Sequence, residues 1–433
     1  MNNQVSPQPV TVVLVGAGHR GVLYAGYALK HPEEMKVAGV VDPDERRRGQ
    51  FAAAHAIEPA HCFRTVQELV AAPAIAEAAI NATMDALHVP TTLPLLKAGY
   101  HVLLEKPLAT CEADVLTLQA AARRHARIVM ICHVLRYAPF YAEIRKRVEA
   151  GEIGRIMAVE TAEHVSYHHM AVGFIRGKWA RKDRGGSSML MAKCCHDLDL
   201  ICWMKSGVAP RRVGSFGSLM HFRAEHAPSG AGTRCLADCK IEASCPHSAR
   251  KIYVDRKKWG FYPWEACEHL GGRNMSDEQK IQSLRGDNPY GRCVWRCDND
   301  VVDHQAVMIE FADGCTATHN MIGGTARGGR TMRLLGTCGQ IEGDLDAGLF
   351  CLRRPDPSAA KLYTEQQVDL VVKGDAHGGG DLRLVGDFLR RLRGEAPSLS
   401  CTSLDDSVFG ARIGFAADRA MDEGRVVEIA PSA

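Results

Sequence analysis

The stretch Val12-Val13-Leu14-Val15-Gly16-Ala17-Gly18-His19-Arg20-Gly21 decides the fold of the first third of the chain. A short β-branched run delivers the backbone into a G-x-G-x-x-G turn, and a helical pattern follows from Val22 to Lys30. In such a turn Gly16 allows the tight reversal, Gly18 lets backbone approach a pyrophosphate, and Gly21 lets helix and strand pack closely. The phosphates then meet the unpaired N–H groups of a helix start, where the macrodipole favours negative charge. A second run, Val37 to Val41, ends in Asp42, where a carboxylate accepts bonds from ribose hydroxyls. That carboxylate repels a 2′-phosphate, so the pattern predicts NAD rather than NADP. Arg46, Arg47 and Arg48 lie close enough to soften the preference, and Arg47 is counted with His19 and Arg20 among the cofactor contacts.

Working outward, apolar runs at Thr11–Val15, Met35–Val41, Ala76–Asn81, His101–Glu105 and Arg127–Cys132 alternate with helical segments. The latter include His88–Ala98, stopped by Gly99, and Cys111–His125, capped by Thr110. This βαβα order predicts a doubly wound parallel sheet, an α/β Rossmann domain over residues 1–133. Beyond it the pattern changes. A helix over Phe140–Ala150 is followed by strands without intervening helices: Ile156–Glu163, Arg212–Leu219, Ala306–Phe311, Thr316–Met321, Thr331–Leu335 and Gln340–Asp344. Asp313-Gly314 marks a hairpin between two of them. A second α/β domain with an open, mostly antiparallel sheet is expected over residues 134–433. Residues 223–296 form a Cys-rich insertion without clean periodicity.

A chain of 433 residues exceeds one ordinary core, which agrees with two domains. A net charge of +3 without long basic runs predicts no attraction to nucleic acid. No apolar stretch is long enough to span a membrane, and the start, Met1 to Pro9, lacks the charge and apolar pattern of a signal peptide. Sixteen cysteines in such a chain are expected to be reduced thiols in the cytoplasm. Cys235-x3-Cys239-x5-Cys245, with His247 nearby and Cys293-x3-Cys297 further on, has the density of a metal site. Tetrahedral zinc commonly takes two close pairs, and here the pairs are far apart with no Cys-x2-Cys. Packing thiols and no stoichiometric metal are therefore expected, with structural zinc as the alternative.

The fifth strand ends in Glu105-Lys106-Pro107. Ligands bind beyond the carboxyl ends of strands in open α/β sheets, so Lys106 is expected to meet the cofactor and stabilise a developing alkoxide. Asn81-Ala82-Thr83 ends the preceding strand, and His88 follows. Together with the glycine turn and Asp42, these residues resemble the Gfo/Idh/MocA family of sugar and polyol oxidoreductases. The resemblance extends to His133-Val-Leu-Arg136-Tyr137-Ala-Pro139, to Gly185-Gly186 followed by His196-Asp197-Leu198-Asp199, and to the segment from Asp387 to Val426.

The resemblance implies a Rossmann domain, an oligomer interface on the C-terminal sheet and a Lys–His pair, here Lys106 and His196. His196 would take the hydroxyl proton, a task suited to an imidazole near neutral pH. Cofactor contacts are expected from Gly16, Gly18, His19, Arg20, Gly21, Asp42, Arg47, Asn81, Thr83, His88, Glu105, Lys106 and Arg136, and sugar contacts from Tyr137, Lys193, Asp199 and His304. The family commonly places Asp four residues before the His, and this chain has Ala192 followed by Lys193. Lys193 would depress the basicity of His196 or hold an anionic sugar, and Asp199 would orient the ring instead. Three functions follow: an NAD-dependent sugar dehydrogenase, a glycosidase that recycles NAD, and a sensor on the same fold. For the glycosidase Tyr137, Tyr167, His168 or His304 would be the second base.

Overall fold

The computed structural model describes residues 8–370 and 379–430. Of the polar start, residues 1–7 lie outside them. β1 (Val10–Val15) is buried along almost its whole length, as a central parallel strand with helices on both faces must be. It pairs in parallel with β2 (Met35–Val41) on one side. With β3 (Cys62–Phe63), β4 (Ala78–Asn81), β5 (His101–Leu104) and β6 (Val129–Ile131) it forms a six-stranded sheet of order β3-β2-β1-β4-β5-β6. The topological switch lies between β1 and β4, above which a dinucleotide binds. The first helical segment is two short helices, His19–Ala25 and Tyr27–Lys30, joined at Gly26. The helix expected from Cys111 spans Glu112–Arg124, and its N-cap is Cys111 rather than Thr110.

The second sheet has nine strands: β7 (Ile156–Ser166), β8 (Pro210–Ser218), β9 (His304–Phe311), β10 (Thr316–Thr325), β11 (Gly329–Gly336), β12 (Gln340–Asp344), β13 (Leu349–Pro355), β14 (Tyr363–Asp369) and β15 (Val427–Glu428). Their order is β14-β13-β12-β11-β7-β10-β9-β8-β15, antiparallel throughout except for β7 with β10. One face packs on helices Pro139–Glu149, Met189–Met204 and Leu404–Glu423, giving the largest core of the molecule. Among the described residues, no helix packs on the opposite face. Alternation along the strands sets this: Gln305, Val307 and Ile309 are buried while Ala306 and Met308 are exposed.

Helix Gly380–Leu392 does not extend this second core. Leu384, Val385, Phe388 and Leu389 pack with Val10, Leu14 and Tyr24 of the Rossmann domain. Residues 223–296 form a cap of short helical turns with its own core, including Ile252, Tyr253, Trp264, Leu284 and Tyr290. The cap reaches the glycine turn, where Phe261 stacks on His19 with ring centroids 4.3 Å apart.

Candidate active site

The glycine turn has the shape that a dinucleotide needs. Gly16 sits at φ +89°, and a Cβ there would lie 2.8 Å from the Ala82 carbonyl oxygen. A Cβ on Gly21 would fall 2.2 Å from the Gly16 carbonyl oxygen, so the helix approaches β1 only through glycine. Gly18 faces open space, with nothing within 4 Å of its missing side chain. That opening is where backbone can meet a pyrophosphate. Asp42 stands beside it at the end of β2, accepting bonds from Ala17 N–H at 2.7 Å and Asp44 N–H at 2.8 Å. The residues present therefore fit NAD.

Several expected cofactor contacts hold the turn from behind instead. Arg20 donates through Nε to Glu105 at 2.9 Å and through Nη2 to Asp381 at 2.5 Å, so its guanidinium is used inside the protein. Tyr24 also donates to Glu105, at 2.9 Å. Burial opposes ionisation of Glu105, yet Arg20 and Lys106 outweigh it and hold the carboxyl below its ordinary range. Asn81 is fully buried and donates to Thr91 and Thr92 hydroxyls at 2.8 and 2.9 Å, while Thr83 donates to its carbonyl oxygen at 2.9 Å. His88 is buried between two loops, its ring nitrogens 2.6 Å from the Pro107 carbonyl and 3.1 Å from that of Thr83. Arg20, Asn81, His88 and Glu105 are thus positioning residues. Arg47 lines the cleft beside Ala17, Gly18 and His19 and ion-pairs there with Glu268 at 2.9 Å and Glu265 at 3.1 Å, both from the cap. Arg48 donates to the Asp42 carbonyl oxygen at 2.6 Å.

Lys106 reaches helix Met189–Met204, which carries His196. Lys106 Nζ donates to the carbonyl oxygen of Ala192 at 2.8 Å. Ala192 precedes His196 by four residues, so the ammonium is held one helical turn from the imidazole, a rise of about 6 Å. His196 stands edge-on to His133, with centroids 5.7 Å apart. Burial, with Lys193 and Arg330 beside it, pushes His169 well below the ordinary histidine value, and Lys106 adds to the effect. Over His169 lies Trp259 of the cap, stacked at 4.3 Å, which also donates through Nε1 to His168 at 3.0 Å.

The expected sugar contacts are redistributed. Lys193 pairs with Glu163 at 3.1 Å, and Glu163 in turn pairs with Arg330 at 2.6 Å, so the Lys193 charge is already neutralised. Arg330 also binds Asp197 at 3.0 Å. Asp199 does not serve as the expected ring partner: both its oxygens are taken by Arg136, at 2.7 and 2.6 Å, with both side chains 1% exposed. Such a pair, once desolvated, locks the domain junction, because removing one partner strands the other charge. Tyr137 is buried and donates to Asp387 at 2.9 Å. His304 follows the outward alternation of β9 and hydrogen-bonds Asp303 at 3.0 Å on the open sheet face. His133 and Trp259 were not singled out as site residues. His133 ends β6 as Lys106 ends β5, which is the signal for it in the sequence, whereas Trp259 lies in an aperiodic stretch.

Residues 10–133 match the model of an oxidoreductase family with an NAD-binding Rossmann fold, and residues 141–233 match the Gfo/Idh/MocA C-terminal domain. The chain belongs to the Gfo/Idh/MocA family. It is therefore related to oxidoreductases, and its N-terminal domain is an NAD-binding Rossmann domain. The protein YteT of Bacillus subtilis (strain 168), named as an oxidoreductase, is 23% identical over 375 residues, 82% of each chain. An inositol 2-dehydrogenase of Corynebacterium glutamicum (strain R) is 25% identical over 194 residues, 45% of this chain and 53% of that one. Among solved structures, levoglucosan dehydrogenase in complex with NADH aligns with a TM-score of 0.71 at 16% identity, covering 98% of this chain and 100% of the other. The WlbA dehydrogenase of Bordetella pertussis, with NADH and UDP-GlcNAcA, aligns with a TM-score of 0.64 at 14% identity over 99% and 100%. These likenesses concern the fold. Among the described residues, no helix is long and apolar enough to cross a membrane.

Proposed function

We propose that this Gfo/Idh/MocA protein is an NAD-dependent oxidoreductase acting on a hydroxyl of a sugar or sugar derivative, with Lys106 and His196 as its catalytic pair. The observation that carries the reading is the Lys106 bond to the Ala192 carbonyl, one turn before His196. Bound NAD supplies the hydride acceptor. Lys106 donates a hydrogen bond to the substrate oxygen and stabilises its developing charge, while His196 accepts the hydroxyl proton. With Arg47 neutralised by Glu265 and Glu268, no free arginine at that position rewards a 2′-phosphate, which supports NAD over NADP.

His169 favours a second reading, an NAD-recycling glycosidase. Held neutral by burial beside Lys106 and Lys193, it is a base available for a neighbouring C–H. A screen of free sugars and aryl glycosides with NAD separates the two. Net NADH formation supports the dehydrogenase; aglycone release at catalytic NAD without net NADH supports the glycosidase. Binding of both ligands without any turnover would leave only the sensor. The open face of the second sheet is further proposed to pair with a second copy of the chain.

A further inference from the structure

Cys235, Cys239, Cys245 and Cys293 line one small pocket at the neck of the cap, together with Arg176, His247 and Trp295. The sequence predicts packing thiols there, and three observations depart from that expectation. First, the four thiols are unpaired and converge from two segments far apart in sequence. The backbone holds them there: Cys235 N–H donates to the Gly291 carbonyl at 2.9 Å, and Cys293 N–H to that of Thr233 at 2.8 Å. Cys297, by contrast, turns its thiol to the Cys293 carbonyl at 3.2 Å and stays outside the pocket.

Second, the surroundings are built for negative sulfur. The buried Arg176 guanidinium and His247 both line the pocket beside these sulfurs. Arg176 is 2% exposed and, among the described residues, has no carboxylate partner. It donates to the carbonyls of Arg292 at 2.7 Å and His247 at 2.8 Å, to the Tyr253 hydroxyl at 3.2 Å, and to Cys235 Sγ at 3.3 Å. A buried guanidinium without a counter-charge is costly, and a set of thiolates would supply one.

Third, the spacing is wider than a single ion takes. Zinc at about 2.3 Å from each sulfur would bring all four within about 4 Å of one another. No three of these sulfurs lie within 4.8 Å of each other, and they surround a small space rather than converging on one point. Iron–sulfur clusters take four cysteine thiolates and hold them further apart, with iron and sulfide between.

We propose that Cys235, Cys239, Cys245 and Cys293 ligate an iron–sulfur cluster that clamps the neck of the cap. Residues 246–292 form a loop closed at this point, and it carries Trp259, Phe261, Glu265 and Glu268 to the cofactor turn and His169. Closing so long a loop is what gives the cluster its structural value. Arg176 is its charge partner, and no redox step is required of it.

The test is quantitation of iron, acid-labile sulfide and zinc on the full chain purified without oxygen, with visible absorption before and after dithionite. Equal iron and sulfide, two or four of each per chain, are expected, with colour that bleaches on reduction. Cys239→Ala is expected to lose iron, sulfide and colour, while Cys297→Ala keeps them. Should Cys239→Ala fail to fold, chelator-treated wild type reconstituted with iron and sulfide replaces it and is expected to regain the spectrum. One zinc per chain without sulfide would overturn the cluster. So would wild type that neither carries iron and sulfide nor takes them up, or a Cys297→Ala protein as depleted as Cys239→Ala.

Discussion

Lys106 brings a fixed charge that no buffer replaces, whereas the proton acceptance assigned to His196 can be taken over in part by a more basic solvent. Lys106→Met keeps much of the stem's volume and should lower turnover about 10²–10³-fold, the usual loss for one oxyanion-type donor. His196→Ala should lower it about 10²–10⁴-fold, with a defect that shrinks as pH rises. The Lys106→Met defect should be constant over the same range. Near wild-type rates in both variants, with NAD and sugar still bound, would remove the pair from catalysis. His319 tests the interior in the same residue-level way. It is fully buried beside Glu163 and Arg330, its Nδ1 2.9 Å from the Thr161 hydroxyl, and burial lowers its pKa to about 4. The unfolded chain titrates near 6.5, so the folded state binds the proton less readily. This contribution to stability is complete above pH 6.5 and is lost as pH falls toward 4, by about 3 kcal/mol at most. His319→Gln should flatten that part of the profile in denaturant titrations at pH 7 and pH 4.5. Equal pH slopes in the two proteins would contradict it.

At the scale of elements, the β1–turn–β2 unit and the cap share the cofactor's edge. Asp42 faces the ribose side, and Glu265 with Glu268 occupies Arg47. Fluorescence titration should therefore show tighter binding of NAD than NADP. Asp42→Ala should narrow the gap, and a Glu265→Gln/Glu268→Gln double variant should improve NADP binding roughly fivefold by freeing Arg47, the scale of one partly exposed ion pair. Wild type that binds NADP as tightly as NAD would sink this account. The glycine turn and Asp42 were legible because their chemistry is local: tight turn, close packing and strand end are all written within one βαβ unit. Lys106 was legible because it ends a strand at the sheet's ligand-binding edge. The bonds of Arg136, Asp199 and Tyr137 were not legible for a non-local reason, since their partners lie 63 and 250 residues away in sequence. A charged residue at a domain junction reads the same whether it meets a ligand or another side chain. β13 and β14 were missed because polar residues dominate Tyr363–Asp369, where only the neighbouring strand imposes extended structure. Likewise no periodicity announces the cap, whose short turns depend on tertiary contacts rather than on an amphipathic face.

At the largest scale, helix Gly380–Leu392 packs back on the Rossmann core, while no helix among the described residues covers one broad face of the nine-stranded sheet. On that face the register aligns Phe216 of β8 with Ala306, and Met308 of β9 with Gly214 and Thr318. Phe216 is 82% exposed, Met308 63% and Ile322 44%, a degree of apolar exposure that ordinary alternation does not explain. Clustered exposed apolar side chains on one sheet face are a mark of association. A self-complementary patch closes most simply as a two-fold dimer, in which each copy supplies the same strands to the other. His304 and His164 lie on this outward side, which accounts for histidines that the substrate cleft does not use. Light scattering coupled to size exclusion should then give the wild-type chain a mass of at least two copies. Phe216→Glu combined with Met308→Glu should shift it toward 47.2 kDa, because like carboxylates would face each other across the axis. NAD binding should survive in the variant, since the glycine turn lies in the other domain. A wild-type protein already monomeric at micromolar concentration would show that the exposed strands serve another surface.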